Sequence, residues 1–140
     1  MITVKKQLFD LTYLKRIDDK GLIAEVINLY LEETQLELFK MEVAFDKSDY
    51  ENIRATVEKM KISTGMIQAD RLYLVLEEIA ILAKYGGEYD KLNELEHIAL
   101  HEFDQLKDEL ELYLKDIYSL MENEYLPDHQ SPIQIFNHCC

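Results

Sequence analysis

The stretch that decides the fold is residues 57–72, which read VEKMKISTGMIQADRL. Val57, Met60 and Thr64 recur at intervals of three and four residues, the spacing typical of one face of an amphipathic helix. The same spacing resumes from Leu72 onward after a short interruption. We therefore expect one helix to end and a second to begin here. A connection this short makes the second helix fold back against the first.

Apolar residues follow the helical spacing through most of the chain. This periodicity predicts a short helix over residues 11–17 and four long helices over residues 22–45, 50–66, 69–85 and 90–121. Long helices joined by short connections favour an all-α fold, an antiparallel up-down four-helix bundle that the short N-terminal helix covers. A continuous coiled coil is the alternative for the last helix, but the breaks at Ser48 and Gly86 favour folding back.

Local signals mark the start of the third helix and the end of the bundle. Ser48, followed three residues later by Glu51, matches a capping box, so we expect Ser48 to cap the third helix. Residues 122–140 contain both prolines of the chain and only isolated apolar side chains. We therefore expect the bundle to span residues 1–121 and the remainder to form a disordered tail.

The chain is strongly acidic. Among its 140 residues, 15 are basic and 28 are acidic, which gives a formal net charge of −13. Phosphate backbones and anionic lipid surfaces repel such a protein, so we expect neither nucleic acid nor a membrane as a partner. Residues 47–71 are the exception, because they carry a net charge of +1 while the segments on either side are negative.

The sequence lacks the features of a membrane or secreted protein. No stretch approaches the roughly 20 consecutive apolar residues of a membrane-spanning helix, and residues 1–6 lack the apolar region of a signal peptide. The two cysteines, Cys139 and Cys140, are adjacent and cannot cross-link distant parts of the chain. We expect a soluble, cytoplasmic monomer in a reducing compartment.

Few residues are suited to catalysis. The sequence has no Gly-rich phosphate loop, no Gly-x-Ser-x-Gly motif and no Cys-x-x-Cys pair. His97 and His101 lie four residues apart on a predicted helix, so they share a face and can bind one metal ion with Glu94 or Glu102. A metal-binding helical bundle is therefore one interpretation, and two solvent-exposed histidines are the other. We expect no cofactor.

Residues 57–72 resemble the signature of the histidine phosphotransfer (HPt) domain family. A common form of that signature reads Ala-His-Lys-Leu-Lys-Pro-Ser-Leu-Gly-Met-Leu-Gly and aligns here without a gap. The residues that match it or are similar are Lys59, Met60, Lys61, Ser63, Gly65, Met66 and Ile67, and Leu72 follows four residues after the last aligned position. Glu58 falls on the histidine that the family phosphorylates. Ile62 and Gln68 also depart from the pattern, since the family usually has Gly or Pro at the first position and Gly at the second.

The resemblance extends beyond the motif, over about residues 8–117. Residues 10–14 resemble the N-terminal segment of HPt domains, residues 29–34 their second helix and residues 79–84 their fourth helix. The place of the motif agrees with the order of helices predicted from periodicity. The resemblance therefore implies the HPt fold and a role in two-component phosphorelay signalling.

A glutamate at the acceptor position changes the chemistry that the resemblance implies. Phosphorelay requires an exposed imidazole whose neutral ring nitrogen attacks an aspartyl phosphate. A glutamate such as Glu58 is already ionised near pH 7 and is a poor nucleophile toward a phosphoryl anion. We therefore expect a non-phosphorylatable variant, not an enzyme, that binds a response-regulator receiver domain or a histidine kinase and modulates phosphate flow.

The resemblance also implies a docking face around Glu58. Its predicted members are Arg54, Lys59, Lys61, Ile62, Ser63, Gly65, Gln68 and Arg71. Receiver domains present an acidic pocket, so the four basic residues of this set would steer docking. The alternative is that Glu58 forms ordinary exposed ion pairs with Arg54 and Lys61, which contribute little. Ser63 would then bond only to a carbonyl group of its own helix.

Two further functions stay open on sequence alone. His97 or His101 can act as a displaced phosphate acceptor, which requires a second docking face on the most acidic helix. An interaction module that offers a helix face to an unrelated partner would show the same sequence pattern.

Overall fold

The computed structural model describes residues 8–86 and 88–125. These residues form no β-strand and five helices, which are α1 (Thr12–Lys15), α2 (Lys20–Asp46), α3 (Tyr50–Met66), α4 (Asp70–Lys84) and α5 (Tyr89–Tyr125). The all-α prediction is confirmed, and α3 has the bounds that the periodicity predicts. Within the described ranges, no helix is both long enough and apolar enough to cross a membrane.

The four long helices pack around a common apolar core. α2 contacts α3 and α5, and α4 contacts the same two helices. The largest fully buried side chains come from the predicted apolar stripes and include Ile27, Met41, Phe45, Ile53, Val57, Met60, Leu76, Ile79, Leu92, Leu106 and Leu110. Within the core, Tyr30 Oη and Thr64 Oγ1 form a buried hydrogen bond of 2.9 Å that joins α2 to α3. Because the two hydroxyl groups satisfy each other, the core tolerates both.

Aspartates are the N-cap residues of α2 and α3. Asp19 Oδ1 accepts a hydrogen bond from the backbone N–H of Leu22 at 3.0 Å, and Asp49 Oδ1 accepts one from that of Asn52 at 3.1 Å. Each carboxylate satisfies an amide group that the helix leaves unpaired. The prediction that Ser48 caps α3 is therefore wrong. Ser48 instead adopts a left-handed conformation, with φ of 51°, after the end of α2.

Each connection between the long helices contains a residue with a positive φ. These residues are Ser48 after α2, Gln68 after α3 (50°) and Gly86 after α4 (63°). After α3, the backbone N–H of Ala69 donates to the carbonyl oxygen of Thr64 at 3.2 Å, which closes the helix end. Glycine adopts this conformation readily, whereas a residue with a Cβ such as Gln68 meets a steric penalty of about 1–2 kcal/mol.

The N-terminal segment and α1 cover the core near the connection of α3 to α4. The backbone N–H of Asp10 donates to the carbonyl oxygen of Ile67 at 2.9 Å. The Phe9 ring packs edge-on against Tyr113 of α5, with 5.9 Å between ring centroids, and Leu14 of α1 is buried. The short first helix is present, although α1 covers fewer residues than the predicted 11–17.

α5 continues to Tyr125, beyond its predicted end at residue 121. The residue before a proline disfavours the helical conformation, and Pro127 is the first proline of the chain, so α5 extends almost to the limit that the proline sets. The first residues assigned to the tail are therefore helical. Residues 126–140, with the cysteines and two of the four histidines, lie outside the described residues.

Candidate functional site

The outer face of α3 carries Glu58 near the middle of the helix. Ile53, Val57 and Met60 lie on the opposite face and are fully buried, so their spacing fixes which side chains of α3 point outward. The side chain of Glu58 is 55% exposed, and Ile62, one turn later, is 72% exposed. The position aligned with the HPt acceptor is therefore accessible to a partner.

Lys61 lies between Glu58 and Tyr73 of α4. Its Nζ is 3.6 Å from Glu58 Oε1 and 5.5 Å from the centroid of the Tyr73 ring. Only 17% of the Lys61 side chain is exposed, so its ammonium group is held at the boundary of α3 and α4. Of the two ion pairs in the alternative interpretation of Glu58, the one with Lys61 is present. Among the described residues, Glu58 forms none with Arg54.

Gly65 lies one turn beyond Lys61 and faces the same tyrosine. A Cβ atom built on Gly65 would lie 3.5 Å from Cε2 of Tyr73, which is an ordinary contact. The backbone here is helical, so neither space nor conformation requires a glycine. Glycine also lowers helix stability by about 0.5–1 kcal/mol relative to alanine. What Gly65 does provide is an open backbone next to the acceptor position.

Lys59, Ile62 and Ser63 lie toward α2. They line a groove between the two helices with Glu33, Leu36, Glu37 and Lys40. Ser63 Oγ is 3.4 Å from the carbonyl oxygen of Met60, so its hydroxyl bonds within its own helix. Lys59 therefore shares its groove with two carboxylates of α2, which reduce the basic character of this side.

Gln68 and Arg71 lie in a cleft beside the N-terminal segment and α5. Arg71 Nη2 donates a hydrogen bond to Glu102 Oε2 of α5 at 2.7 Å. Arg71 therefore points toward α5, whereas Lys61 points toward Tyr73. The structure does not bring the four predicted basic residues into one cluster, because Lys59 lies toward α2, Lys61 toward α4 and Arg71 toward α5.

His97 and His101 are exposed residues of α5. His97 Nδ1 donates to the carbonyl oxygen of Asn93 at 2.8 Å, so one of its ring nitrogens is bonded within its own helix. In the part of the chain that the structure describes, no three His, Cys, Asp or Glu side chains are grouped to hold a metal ion.

Glu96 is a buried acidic residue that the sequence analysis missed. It lies on the side of α5 that faces α2 and is only 7% exposed. Burial raises the pKa of Glu96 to about 7; the carboxylates of Glu42 and Asp46 on α2 add to the shift, and His97 opposes it. A sequence signal was present, because residue 96 falls on the apolar stripe of the last helix.

Comparisons of this chain with protein-family models, with curated proteins and with solved structures found no match.

Proposed function

We propose that this chain is an HPt-like docking module of a two-component phosphorelay, in which Glu58 replaces the phosphate-accepting histidine. The observation that carries the proposal is the exposed place of Glu58 on the outer face of α3, within a sequence that otherwise resembles the HPt signature. In this function the protein binds a response-regulator receiver domain or a histidine kinase. It modulates phosphate flow without accepting phosphate.

The proposal includes the antiparallel up-down order of an HPt bundle. Tyr30, in the first half of α2, bonds to Thr64 near the end of α3. Met121, near the end of α5, lies next to Gly21 at the start of α2, where a Cβ atom would be 3.6 Å from its methyl group. In both pairs the early part of one helix meets the late part of the other, as antiparallel neighbours do.

The carboxylate of Glu58 explains why docking would occur without transfer. An HPt acceptor is a neutral imidazole, whereas an ionised carboxylate must approach a phosphoryl group that is itself anionic. Lys61, 3.6 Å away, partly offsets that charge toward a partner. The site therefore supports recognition of a receiver domain better than it supports chemistry on its phosphate.

Docking in this proposal uses the part of α3 around Glu58. Arg54, Lys59 and Lys61 supply positive charge that complements the acidic pocket of a receiver domain, even though the chain as a whole is acidic. Ile62 supplies an exposed apolar centre, and an apolar centre within a polar rim is typical of protein interfaces. Gly65 leaves room for a close approach.

Binding of purified receiver domains, encoded by the genome that encodes this chain, tests the proposal. We expect Lys61→Glu to weaken the complex about tenfold or more, which corresponds to about 1.4 kcal/mol. Lys115→Glu makes the same charge change at an exposed position of α5 and should leave affinity unchanged. If no receiver domain or histidine kinase binds, or if both variants weaken binding equally, the proposal is wrong.

A further inference from the structure

The outward face of α2 carries apolar residues at seven-residue intervals, which we call the α2 stripe. Its members are Leu22, Leu29, Leu36 and Val43. Spacing of seven places them in one line along the helix. The three leucines are exposed, and Phe39 beside them is 64% exposed. The core uses the opposite side of α2, so the α2 stripe has no role in the packing of the bundle.

A stripe of this length fits a partner that is itself a helix. α2 has 27 residues and is therefore about 40 Å long, at about 1.5 Å per residue. A second apolar stripe, opposite the face that packs on the core, is the kind of surface that a helix buries against a further partner. An apolar residue every seven positions supplies one of the two apolar positions of the heptad by which helices pack along one another, and Phe39 adds an apolar residue at the second.

The charged residues beside the α2 stripe are complementary to those of a second copy of α2, which makes a second copy the best-fitting partner helix. Glu33 and Lys40 lie seven residues apart on the same flank of the stripe, on either side of Leu36. We propose that two copies of this chain associate through α2 in antiparallel orientation, about a two-fold axis at Leu36. Glu33 of each copy then lies beside Lys40 of the other, and Leu29 lies beside Val43.

In a parallel two-fold pair, the flank that carries Glu33 and Lys40 would face the opposite flank of the partner, so only the antiparallel orientation pairs these two charges. In the single chain, Lys40 Nζ is 3.2 Å from Glu37 Oε2, and 49% of its side chain is exposed. Its ammonium group is therefore accessible to a second copy. The proposed dimer differs from the monomer expected from sequence, and the two are distinguished by the experiment below.

The proposed dimer covers only one side of α3. Leu36 and Lys40 line the groove that also holds Lys59 and Ile62, so the second copy lies over that groove and covers these two residues of the proposed docking face. Docking through Lys59 and Ile62 therefore requires the monomer. Lys61 faces the other side, toward α4. The inference does not rest on the proposed function, since self-association needs no receiver domain.

Sedimentation equilibrium of the full chain tests the dimer. We would work at about 0.15 M salt, where the Debye length of about 8 Å screens the repulsion between two acidic chains. The expected mass at high concentration is twice 16.6 kDa. Leu36→Lys should weaken association at least about tenfold. Leu74→Lys, at a 60% exposed leucine of α4, is the matched control and should leave association unchanged.

Exchange of charges tests the orientation. Glu33→Lys and Lys40→Glu should each weaken association, because each sets like charges together, and the double variant should restore it. Circular dichroism of every variant shows whether the helices are retained. A chain that stays monomeric at all concentrations would overturn the inference. So would equal losses in the Leu36 and Leu74 variants, or a double variant as weak as the single ones.

Discussion

Glu58 and Lys61 form an ion pair of 3.6 Å on the outer face of α3. The family resemblance places a phosphohistidine at the first of these positions, so a charge pair stands where a phosphate acceptor is expected. Ion pairs between residues three or four apart on a helix contribute only about 0.2–0.5 kcal/mol. The ion pair therefore adds little to the stability of the fold, and we infer that it matters for what the outer face of α3 binds.

Gly65→Ala separates stability from docking. Because a Cβ atom fits beside Tyr73 and alanine favours a helix, we expect the variant to be more stable by about 0.5–1 kcal/mol in urea unfolding. If Gly65 serves the close approach of a partner, the same variant should bind a receiver domain less tightly. A variant that is both more stable and equally tight in binding would remove Gly65 from the docking face.

Gln68→Gly should stabilise the fold by about 1 kcal/mol. Gln68 adopts a φ of 50° after α3, and glycine relieves the steric penalty of that conformation. Thermal unfolding measures the gain. Gly86→Ala is the matched test in the opposite direction, because Gly86 also has a positive φ, of 63°. No atom lies near the Cβ that alanine would add. Backbone strain alone should therefore make the Gly86→Ala variant less stable. Unchanged stability in both variants would contradict this account of the helix ends.

The helical framework could be predicted because apolar spacing is a local property of the sequence. α3 begins at Tyr50 and ends at Met66, as its periodicity predicts. The helix ends were less predictable, because Ser48 and Asp49 can both cap a helix by chemistry. Because Ser48 has a left-handed φ, Asp49 is the residue that caps α3. The types of these two residues do not predict that backbone conformation.

The contacts of the candidate site could not be predicted in the same way. Glu58 and Lys61 lie one turn apart on a single helix, so their pair follows from local spacing. Tyr73 belongs to the next helix, and its contact with Lys61 depends on how α3 and α4 pack. The family resemblance places Arg71 among the basic residues of the docking face, but Glu102, 31 residues away, is the residue that it contacts.

Glu96 should make the protein less stable as the pH rises toward 8. The pKa of its carboxyl group is 4.5 without the shift and about 7 in the folded chain. Between these values the folded state holds a proton that the unfolded state has lost, so this group's contribution to stability falls as pH rises through about 7. Urea unfolding at pH 5 and pH 8 measures the change.

Glu96→Gln isolates that contribution. An amide cannot ionise, so we expect the variant to lose much of the difference between pH 5 and pH 8 and to be more stable than the original chain at pH 8. Glu94→Gln, at an exposed position of the same helix, should keep the original pH dependence. If the Glu96 variant also keeps it, the buried carboxyl is not its source.

The buried hydrogen bond between Tyr30 and Thr64 should appear in a double-mutant cycle. Tyr30→Phe should cost about 1 kcal/mol, because it removes a bond whose partner stays in the core. Adding Thr64→Val removes the second hydroxyl, so the double variant should lose less than the sum of the single losses. Additive losses in urea unfolding would show that the two hydroxyl groups are not coupled.

Transfer of labelled phosphate from a receiver domain tests the central claim most directly. The receiver domain is phosphorylated, mixed with the original chain or with Glu58→His, and both complex formation and label transfer are followed. We predict that the original chain binds without taking up label and that Glu58→His becomes labelled, since the imidazole restores an acceptor at the docking position. Labelling of the original chain would contradict the account, because a residue other than Glu58 would then accept the phosphate.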